Sequence, residues 1–396
     1  MKNLWCDTMA CENNVAWTIG CRMNALFRLD FCTKRYEFIT DFPDASVADF
    51  RVNPYCMKVR DDLYFFPDLG ECIWIYNITS KKIYKIVLEN PEKVRISMCI
   101  AFCFGNSIYA ISRGLKQIVE ISVSERKIIG IYEMGEYGQD AKISDEGCIA
   151  KGKIYFTVPE KNLICEFSAE TKKIVGFDLT GDMAPQTICY DGKDFWLTGR
   201  TKEIVRWNRE KKEIISYADI PSSVGMFEIV DGVFRENISD VQFSIPFFRW
   251  SVKIGDKVWF IPLTTNKLLY ADINTYEINV CEIESENEDE KSWTRILQTK
   301  YCFECVFQER YLFLYSYKNK RYLIIDSMAD TAQPVDIIME EESRKRLYER
   351  MVEKRELIVE PDVIDLSFFL QMMDDHDERK EKKTENGKRI FQELEK

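Results

Sequence analysis

The chain has 396 residues, of which 46% are hydrophobic and 13% aromatic, so it can fill a large core. Its net charge of −11 disfavours general binding to nucleic acid or to an anionic membrane surface, because both attract basic proteins. The one histidine, His376, lies in a charged tail. Histidine-based nucleophile pairs and metal sites are therefore excluded from the preceding residues.

The N-terminal residues Met1–Asp7 lack the apolar segment of a signal peptide, and no apolar stretch approaches the length of a membrane span. The 14 cysteines are scattered and lie mostly in apolar runs, as in Cys99–Cys103. Buried free thiols of this kind are typical of a reducing compartment. We expect a cytoplasmic protein, monomeric and without a cofactor.

A short pattern of residues recurs along the first 338 positions. Each copy has four short apolar runs separated by polar turns, and the last run begins with Lys-Ile in three copies. An aromatic residue marks the second run, and successive markers are 41 to 63 residues apart: Trp17, Tyr64, Tyr109, Tyr155, Trp196, Trp259 and Phe313. Four-stranded repeats of this length predict an all-β protein, a β-propeller of seven blades. Six blades with an irregular N-terminal segment is the alternative.

Two irregular connections and the ends of the repeat region remain to be placed. The longest marker spacing predicts an insertion at about Ile220–Ser244, and Glu284–Trp293 forms a second, acidic one. Both should rise from the face that carries the loops between second and third strands, where they could shape a binding mouth. Lys2–Cys6 could open the first blade or complete the last.

The composition becomes charge-dense after the repeats, so we divide the chain into a propeller, 1–338, and a charged helical extension, 339–396, partly disordered. Glu340–Leu357 predicts a helix that Pro361 breaks, with one narrow apolar stripe formed by Leu347, Tyr348, Met351 and Val352. A second stripe follows at Leu366, Phe369, Leu370 and Met373. Packing on the propeller is the favoured role of such stripes, and docking of a partner is the alternative.

Two copies of the repeat, Ile154–Phe177 and Val258–Ile283, carry its form best. This form resembles the YVTN, NHL and kelch-like group of propeller repeats over roughly the first 338 residues. The Gly-Gly doublets of kelch repeats and the Gly-His and Trp-Asp pairs of WD-type blades are absent from it. The resemblance therefore implies architecture, and function must be argued from a site.

Long cationic side chains recur where the chain enters the innermost strands, at Arg51, Arg95, Lys142, Arg249 and Arg295. Because these strands line the channel, the cations should converge at one end and hold a carboxylate or phosphate. The alternative is that each pairs with a nearby acid such as Asp49, Asp140 or Asp145. Basic turns between second and third strands, which include Arg113, could add to a positive mouth, although the opposite face is equally basic. Trp250 could stack on a ligand, or simply pack within its blade.

Cys302-Phe303-Glu304-Cys305 has the spacing of half a zinc site, but no second pair or histidine completes it. Strand alternation would also point the two sulfur atoms to opposite faces. We therefore expect no metal site.

The expected function is a non-catalytic module that binds a protein, a peptide or an anionic small molecule at the loop-bearing face, and neither nucleic acid nor membrane. A histidine-free, carboxylate-dependent glycan hydrolase or lyase is the alternative, and it would need two carboxylates about 5–10 Å apart in the channel mouth. A redox or metal-responsive role of the cysteines is a third possibility.

Overall fold

The computed structural model describes residues 3–91, 93–222, 224, 227–230, 233–236, 246–263, 265, 267–281, 301–316 and 320–356. The chain folds into seven four-stranded antiparallel sheets, which are the blades of a β-propeller. Within each blade the strands pair in chain order, and the first strand lies innermost, against its counterparts in neighbouring blades.

The first four blades follow one another without a long insertion. Their strands are β1 Ala10–Glu12, β2 Val15–Ile19, β3 Ala25–Asp30 and β4 Arg35–Asp41 (blade 1); β5 Tyr55–Val59, β6 Asp62–Phe66, β7 Cys72–Asn77 and β8 Ile83–Val87 (blade 2); β9 Ile100–Phe104, β10 Ser107–Ser112, β11 Gln117–Ser122 and β12 Lys127–Glu133 (blade 3); β13 Gly147–Ala150, β14 Lys153–Val158, β15 Leu163–Ser168 and β16 Ile174–Asp178 (blade 4). Two single-turn 3₁₀ helices, Gly135–Tyr137 and Pro159–Lys161, lie in the connections.

The remaining elements complete the ring and add one helix. They are β17 Thr187–Tyr190, β18 Phe195–Thr198, β19 Glu203–Asn208 and β20 Glu213–Asp219 (blade 5); a hairpin of β21 Phe227–Val230 and β22 Val233–Glu236; β23 Phe248–Ile254, β24 Lys257–Pro262, β25 Leu268–Asp272 and β26 Ile278–Cys281 (blade 6); β27 Tyr301–Phe307, β28 Tyr311–Ser316, β29 Arg321–Asp326 and β30 Thr331–Val335 (blade 7); then β31 Ile338–Met339 and α1 Glu341–Lys354.

The seven aromatic markers all lie in the second strands of their blades, and the predicted count of seven is confirmed. All seven are buried, from Trp17 at 8% exposed to Trp259 and Phe313 at 0%. The second strand lies inside the sheet, and both of its faces are covered by the adjacent blades. A large flat side chain is favoured there because it packs on a pleated surface and removes much apolar area from water.

The turn between the third and fourth strands has the same construction in every blade. An Asp, Asn or Ser ends the third strand, and its side-chain oxygen accepts a backbone N–H two or three residues further on. The residue four positions after it has a φ between 50° and 65°. These residues are stabilised in turns by this local hydrogen bond, which makes the hairpin self-contained. The pairs are Asp30 and Lys34, Asn77 and Lys81, Ser122 and Arg126, Ser168 and Lys172, Asn208 and Lys212, Asp272 and Tyr276, and Asp326 and Asp330.

Three of these turns supply a basic side chain to a buried acid of the preceding blade. The inter-blade ion pairs are Arg126–Asp62, Lys172–Glu120 and Arg209–Glu166. Each joins consecutive blades, and each lies on the face opposite the loops between second and third strands.

The ring closes through the segments that flank the repeats. The backbone N–H of Asn3 donates to Ile337 at 2.8 Å, and the N–H of Met9 donates to Glu304 at 2.9 Å. β31 pairs in parallel with β4 of blade 1. Residues 3–6 belong to neither terminal sheet, so of the two roles predicted for Lys2–Cys6 they perform neither, and Lys2 is outside the described residues.

The helix α1 packs against blade 1. Leu347 and Met351 are fully buried in the cluster between blades 7 and 1, and Tyr348 is nearly so. Arg350 donates from Nε to Asp41 at 2.7 Å, which ties the helix to the end of β4. The predicted stripe therefore packs on its own propeller, although Val352, predicted to belong to it, is 40% exposed.

Several predicted features fall wholly or partly outside the described residues. The hairpin β21–β22 lies within the predicted insertion Ile220–Ser244, whereas Glu284–Trp293 and the stripe from Leu366 to Met373 are not described. In the described ranges, none of the helices has the length and apolar character needed to cross a bilayer.

Candidate functional site

A cavity of about 360 Å³ lies at one end of the channel, on the face that carries the loops between second and third strands. Its walls come from blades 2, 3, 4 and 6, so it sits where the inner strands converge. We call it the mouth cavity, and it is lined by Arg51, Tyr55, Arg95, Ser97, Arg113, Gly114, Lys142, Asp145 and Arg249.

Two arginines approach the cavity from blades 2 and 3 and share the buried acid Asp68. Arg95 grips its carboxylate with two hydrogen bonds, of which the one from Nε is 2.9 Å. Arg51 lies 3.5 Å from the same carboxylate and pairs more closely with Asp7. Asp68 is fully buried, while the side chain of Arg95 is 58% exposed, so one side of the Arg95 guanidinium faces the solvent.

A second carboxylate, Asp145, is held between two arginines from blades 3 and 6. Arg113 donates to its Oδ1, and Arg249 donates from Nε to its Oδ2 at 3.0 Å. Burial alone would raise the pKa of Asp145, but the charges of Arg249 and Arg113 hold it below its usual value. This acid is therefore an anion at neutral pH and joins two blades that are not neighbours in the ring.

The position of Arg113 depends on a close backbone approach at Gly114. A Cβ atom on Gly114 would come within 1.7 Å of the carbonyl oxygen of Arg95, so no larger residue fits there. The N–H of Gly114 donates to Ile96 at 3.0 Å, and that of Arg113 donates to Ser97 at 3.1 Å. This packing holds the turn of blade 3 against the segment that enters its inner strand, and it sets Arg113 and Arg95 side by side.

Neutral donors complete the wall. Tyr55 is 8% exposed, and its hydroxyl forms no hydrogen bond within the described part of the chain. Ser97 is 5% exposed, and its buried Oγ also has no partner among the described residues. The Nε atoms of Arg51 and Arg113 are likewise buried and without a hydrogen-bond acceptor in this part of the structure. Buried donors of this kind are normally satisfied, so their concentration at one cavity is typical of a ligand site.

Positive charge exceeds negative charge around the mouth cavity. Arg51, Arg95, Arg113, Lys142 and Arg249 face the carboxylates of Asp7, Asp68 and Asp145, which leaves two positive charges in excess among these eight side chains. Next to the cavity, burial and the charge of Arg113 lower the pKa of Lys116. Cations clustered in a cleft with low-dielectric walls attract anions more strongly than the same charges spread over a surface.

Four of the six residues predicted to bind a ligand, Arg51, Arg95, Lys142 and Arg249, line the mouth cavity. Arg295 lies outside the described residues. Trp250 does not line the cavity: it lies under the guanidinium of Arg249, 4.5 Å from it, and packs on the clusters of blades 6, 7 and 1. Ligand binding by these residues stays a prediction.

The alternative reading, that the cations pair with acids, also holds in part. Asp145 is one of the predicted partners, but Asp7 and Asp68 occupy the places expected for Asp49 and Asp140. Sequence reasoning did not select Tyr55 or Ser97, since a first-strand tyrosine and a lone serine resemble ordinary blade residues. Arg113, predicted only as one of the basic turn residues that could add to a positive mouth, does line the cavity.

Glu146 follows Asp145 but does not line the cavity. Its carboxyl accepts hydrogen bonds from the N–H of Ser251 at 2.6 Å, from the hydroxyl of Ser251 at 2.9 Å and from the N–H of Ile188 at 3.2 Å. Burial raises the pKa of Glu146 to about 8 despite these donors. The carboxyl group of Glu146 therefore joins blade 4 to the inner strands of blades 5 and 6.

The prediction that Cys302 and Cys305 point to opposite faces is wrong. A β-bulge between Phe303 and Cys305 breaks the alternation of β27, and both sulfur atoms belong to the buried cluster between blades 7 and 1. Within the described ranges, no group of three or more His, Cys, Asp or Glu side chains is arranged to hold a metal ion. No disulfide joins any of the 14 cysteines, all of which are described.

No family model matches the chain, and no curated protein sequence is similar to it. Solved structures do share its fold. Virginiamycin B lyase from Staphylococcus aureus is 14% identical, with a TM-score of 0.55 over 79% of this chain and 94% of the enzyme. A catalytically inactive histidine-to-alanine variant of that lyase, solved with quinupristin, has a TM-score of 0.52 at 14% identity over 80% and 92%.

Two further structures are similar to the same extent. U3-55K is 11% identical, with a TM-score of 0.55 over 79% of this chain and 88% of its own. A chain of the mitotic checkpoint complex is 10% identical, with a TM-score of 0.54 over 80% and 85%. At these identities the likeness is one of fold alone.

Proposed function

We propose that the propeller is a non-catalytic binding module that recognises an anionic ligand at the mouth cavity. The observation that carries this proposal is the convergence of five cationic side chains, from blades 2, 3, 4 and 6, on one cavity whose wall also holds donors without an acceptor among the described residues. Arginine suits carboxylate and phosphate because its planar group donates two parallel hydrogen bonds. A small concave site with convergent polar groups is the usual form of a ligand pocket.

The alternative glycan hydrolase or lyase gains no support from the same geometry. Such an enzyme needs carboxylates that act on the substrate, but Asp68 and Asp145 are each held by two arginines, and Asp7 pairs with Arg51. Glu146 is engaged by three donors. The structurally similar lyase is inactivated by the loss of one histidine, whereas this chain has none before His376.

Binding can be tested on the full chain by isothermal titration with three anions: phosphate, sulfate and succinate. We expect one-to-one binding of at least one of them. Lys142→Gln and Arg95→Gln should each weaken it by about 10- to 100-fold, because a hydrogen bond to a charged group contributes about 1.5–3 kcal/mol. Lys142 is exposed and forms no ion pair among the described residues, so its replacement should leave the melting temperature unchanged.

Lys82→Gln is the matched control, since Lys82 is exposed in a turn of the opposite face and its loss changes the net charge equally. It should bind the anion as the wild type does. Failure of all three anions to bind, or equal weakening by Lys82→Gln, would overturn the proposal. The cytoplasmic location and monomeric state stay predictions, which fractionation and light scattering can test.

A further inference from the structure

We infer that the group held in the mouth cavity is a phosphomonoester dianion. This inference rests on the proposed function and names the class of ligand. Three features of the cavity favour this group over a carboxylate: the excess charge, the directions from which donors arrive, and the neutral hydroxyls in the wall.

The charge excess matches a dianion. The eight charged side chains of the cavity leave two positive charges without a counterpart among themselves. A phosphomonoester carries about −1.5 to −2 charges at pH 7, while a single carboxylate or a phosphodiester carries one. A monoanion would therefore leave positive charges close together in a half-buried site, which is unfavourable.

The arginine donors reach the cavity from three blades on different sides of the channel. Arg51 enters from blade 2, Arg95 and Arg113 from blade 3, and Arg249 from blade 6 on the far side of the channel. A carboxylate presents its acceptor sites in one plane, whereas a phosphomonoester offers three strong acceptor oxygens in a pyramid. Its three oxygens can meet donors from all three of these blades, whereas the two oxygens of a carboxylate such as Asp145 meet donors from two.

The neutral donors and the size of the cavity agree with this group. The hydroxyls of Tyr55 and Ser97 can donate to phosphate oxygens without adding charge, and neither has a partner among the described residues. The volume of about 360 Å³ is at the low end of the range for small-ligand pockets, about 300–1,000 Å³. It can hold the phosphoryl group and a small organic body. The phosphoryl group could belong to a free small molecule or to a phosphorylated side chain.

The test is titration calorimetry of the full chain with glycerol phosphate, dimethyl phosphate and succinate. Glycerol phosphate should bind at least tenfold more tightly than the monoanionic diester and the dicarboxylate. Its affinity should fall about tenfold from pH 7.5 to pH 5, because its second ionisation lies near pH 6. Sulfate keeps both charges over this range and therefore controls for changes in the protein itself between the two pH values; its affinity should change little.

Tyr55→Phe sharpens the test because it removes only a hydroxyl that has no hydrogen-bond partner among the described residues. It should weaken glycerol phosphate about threefold to tenfold and leave the melting temperature unchanged. Succinate binding more tightly than glycerol phosphate would overturn the inference and leave the proposed function standing, whereas no binding by any anion would overturn both. A phosphoserine tetrapeptide, titrated in parallel, identifies the source of the phosphoryl group. If it binds more tightly than glycerol phosphate, the ligand is a phosphorylated protein; if it binds more weakly, the ligand is a small molecule. Either result supports the phosphomonoester.

Discussion

The two faces of the propeller both bring basic side chains onto buried acids, but they differ in whether the hydrogen-bond donors around those acids find acceptors. In the inter-blade ion pairs, Glu120 accepts hydrogen bonds from Ser107, Tyr109, Tyr132 and Lys172, and Glu166 accepts them from Lys153, Tyr155 and Arg209. In the mouth cavity, two arginines share Asp145 and two share Asp68. There the cations line an open space together with donors that have no acceptor among the described residues.

The pKa values of the acids in the inter-blade ion pairs show how these acids stabilise the fold. Burial alone would raise the pKa of both acids, but hydrogen bonds lower both to about 2: from Tyr132, Lys172 and Tyr109 at Glu120, and from Arg209, Lys153 and Tyr155 at Glu166. Such acids stabilise the folded state because their ionised form is fully satisfied. Around the mouth cavity the cations outnumber the acids among the described residues and line an open space, which favours an external anion. Basic residues on an acidic background therefore indicate binding where they converge on a cavity, since Glu166 on the opposite face also meets two cations.

The largest effect is expected from breaking an inter-blade ion pair. Lys172→Met should lower the free energy of unfolding by about 3 kcal/mol, because it leaves the buried Glu120 without its cation. Chemical denaturation measures this loss, and the affinity for phosphate should stay within twofold of the wild type. The double variant with Glu120→Gln should lose less than the sum of the single changes, since the two side chains interact. Additive losses would contradict the coupling.

The next effect is expected from removing an acid of the mouth cavity. Asp145→Asn releases Arg113 and Arg249 from their carboxylate and should raise the affinity for phosphate about tenfold, or about 1.4 kcal/mol. Titration calorimetry measures the change. Asp49→Asn is the control, because Asp49 is an exposed acid in the connection between blades 1 and 2 and does not line the cavity. Weaker binding by Asp145→Asn would mean that the cluster serves the fold alone.

A smaller effect is expected at Glu304, which lies in the bulge of β27. It is 2% exposed, and neither of its carboxyl oxygens has a hydrogen-bond partner among the described residues. Burial raises its pKa, so the contribution of Glu304 to stability is most favourable below the unfolded pKa of about 4.5 and is lost as the pH rises above it. Glu304→Gln should therefore be more stable than the wild type by about 1 kcal/mol at pH 8 and equal to it at pH 4. Equal melting temperatures at both pH values would contradict the role of burial.

The smallest effect is expected in the acid unfolding of the inter-blade ion pairs. Because the pKa of Glu120 and of Glu166 is lowered to about 2, their stabilisation is present above the unfolded pKa of about 4.5 and is lost as the pH falls from there towards 2. The slope of stability against pH in this window should be less steep in Glu120→Gln than in the wild type. Melting temperatures between pH 5 and pH 2.5 measure it, and an unchanged slope would exclude Glu120 as a contributor.

Local sequence was enough to predict the blades. The markers such as Tyr109 and Tyr155 recur because every second strand is buried on both faces, and this requirement acts on each repeat separately. The turn residues behave in the same way, since Ser168 and Asn208 stabilise their own hairpins through hydrogen bonds over three residues. Patterns that arise within one repeat of about 45 residues can be recognised from the sequence alone.

The bulge at Glu304 is a feature that local patterns did not predict. Strand alternation predicted opposite directions for Cys302 and Cys305, but one extra residue in β27 brings both into the same cluster. Nothing in the local residues marks this insertion, because it depends on the pairing of β27 with β28. The closure of the ring by Asn3 and Ile337 depends in the same way on parts of the chain more than 300 residues apart.

The sequence by itself determined the architecture and the presence of long cations at the entry to the inner strands, because both repeat with the blades. Only the tertiary structure decided which acids meet them: Asp7 and Asp68 were not foreseen as partners, and Tyr55 and Ser97 joined the site only through the curvature of the ring. The physical reason is that the balance of charge in a cavity depends on distances between blades, and these distances are set by packing around the whole ring.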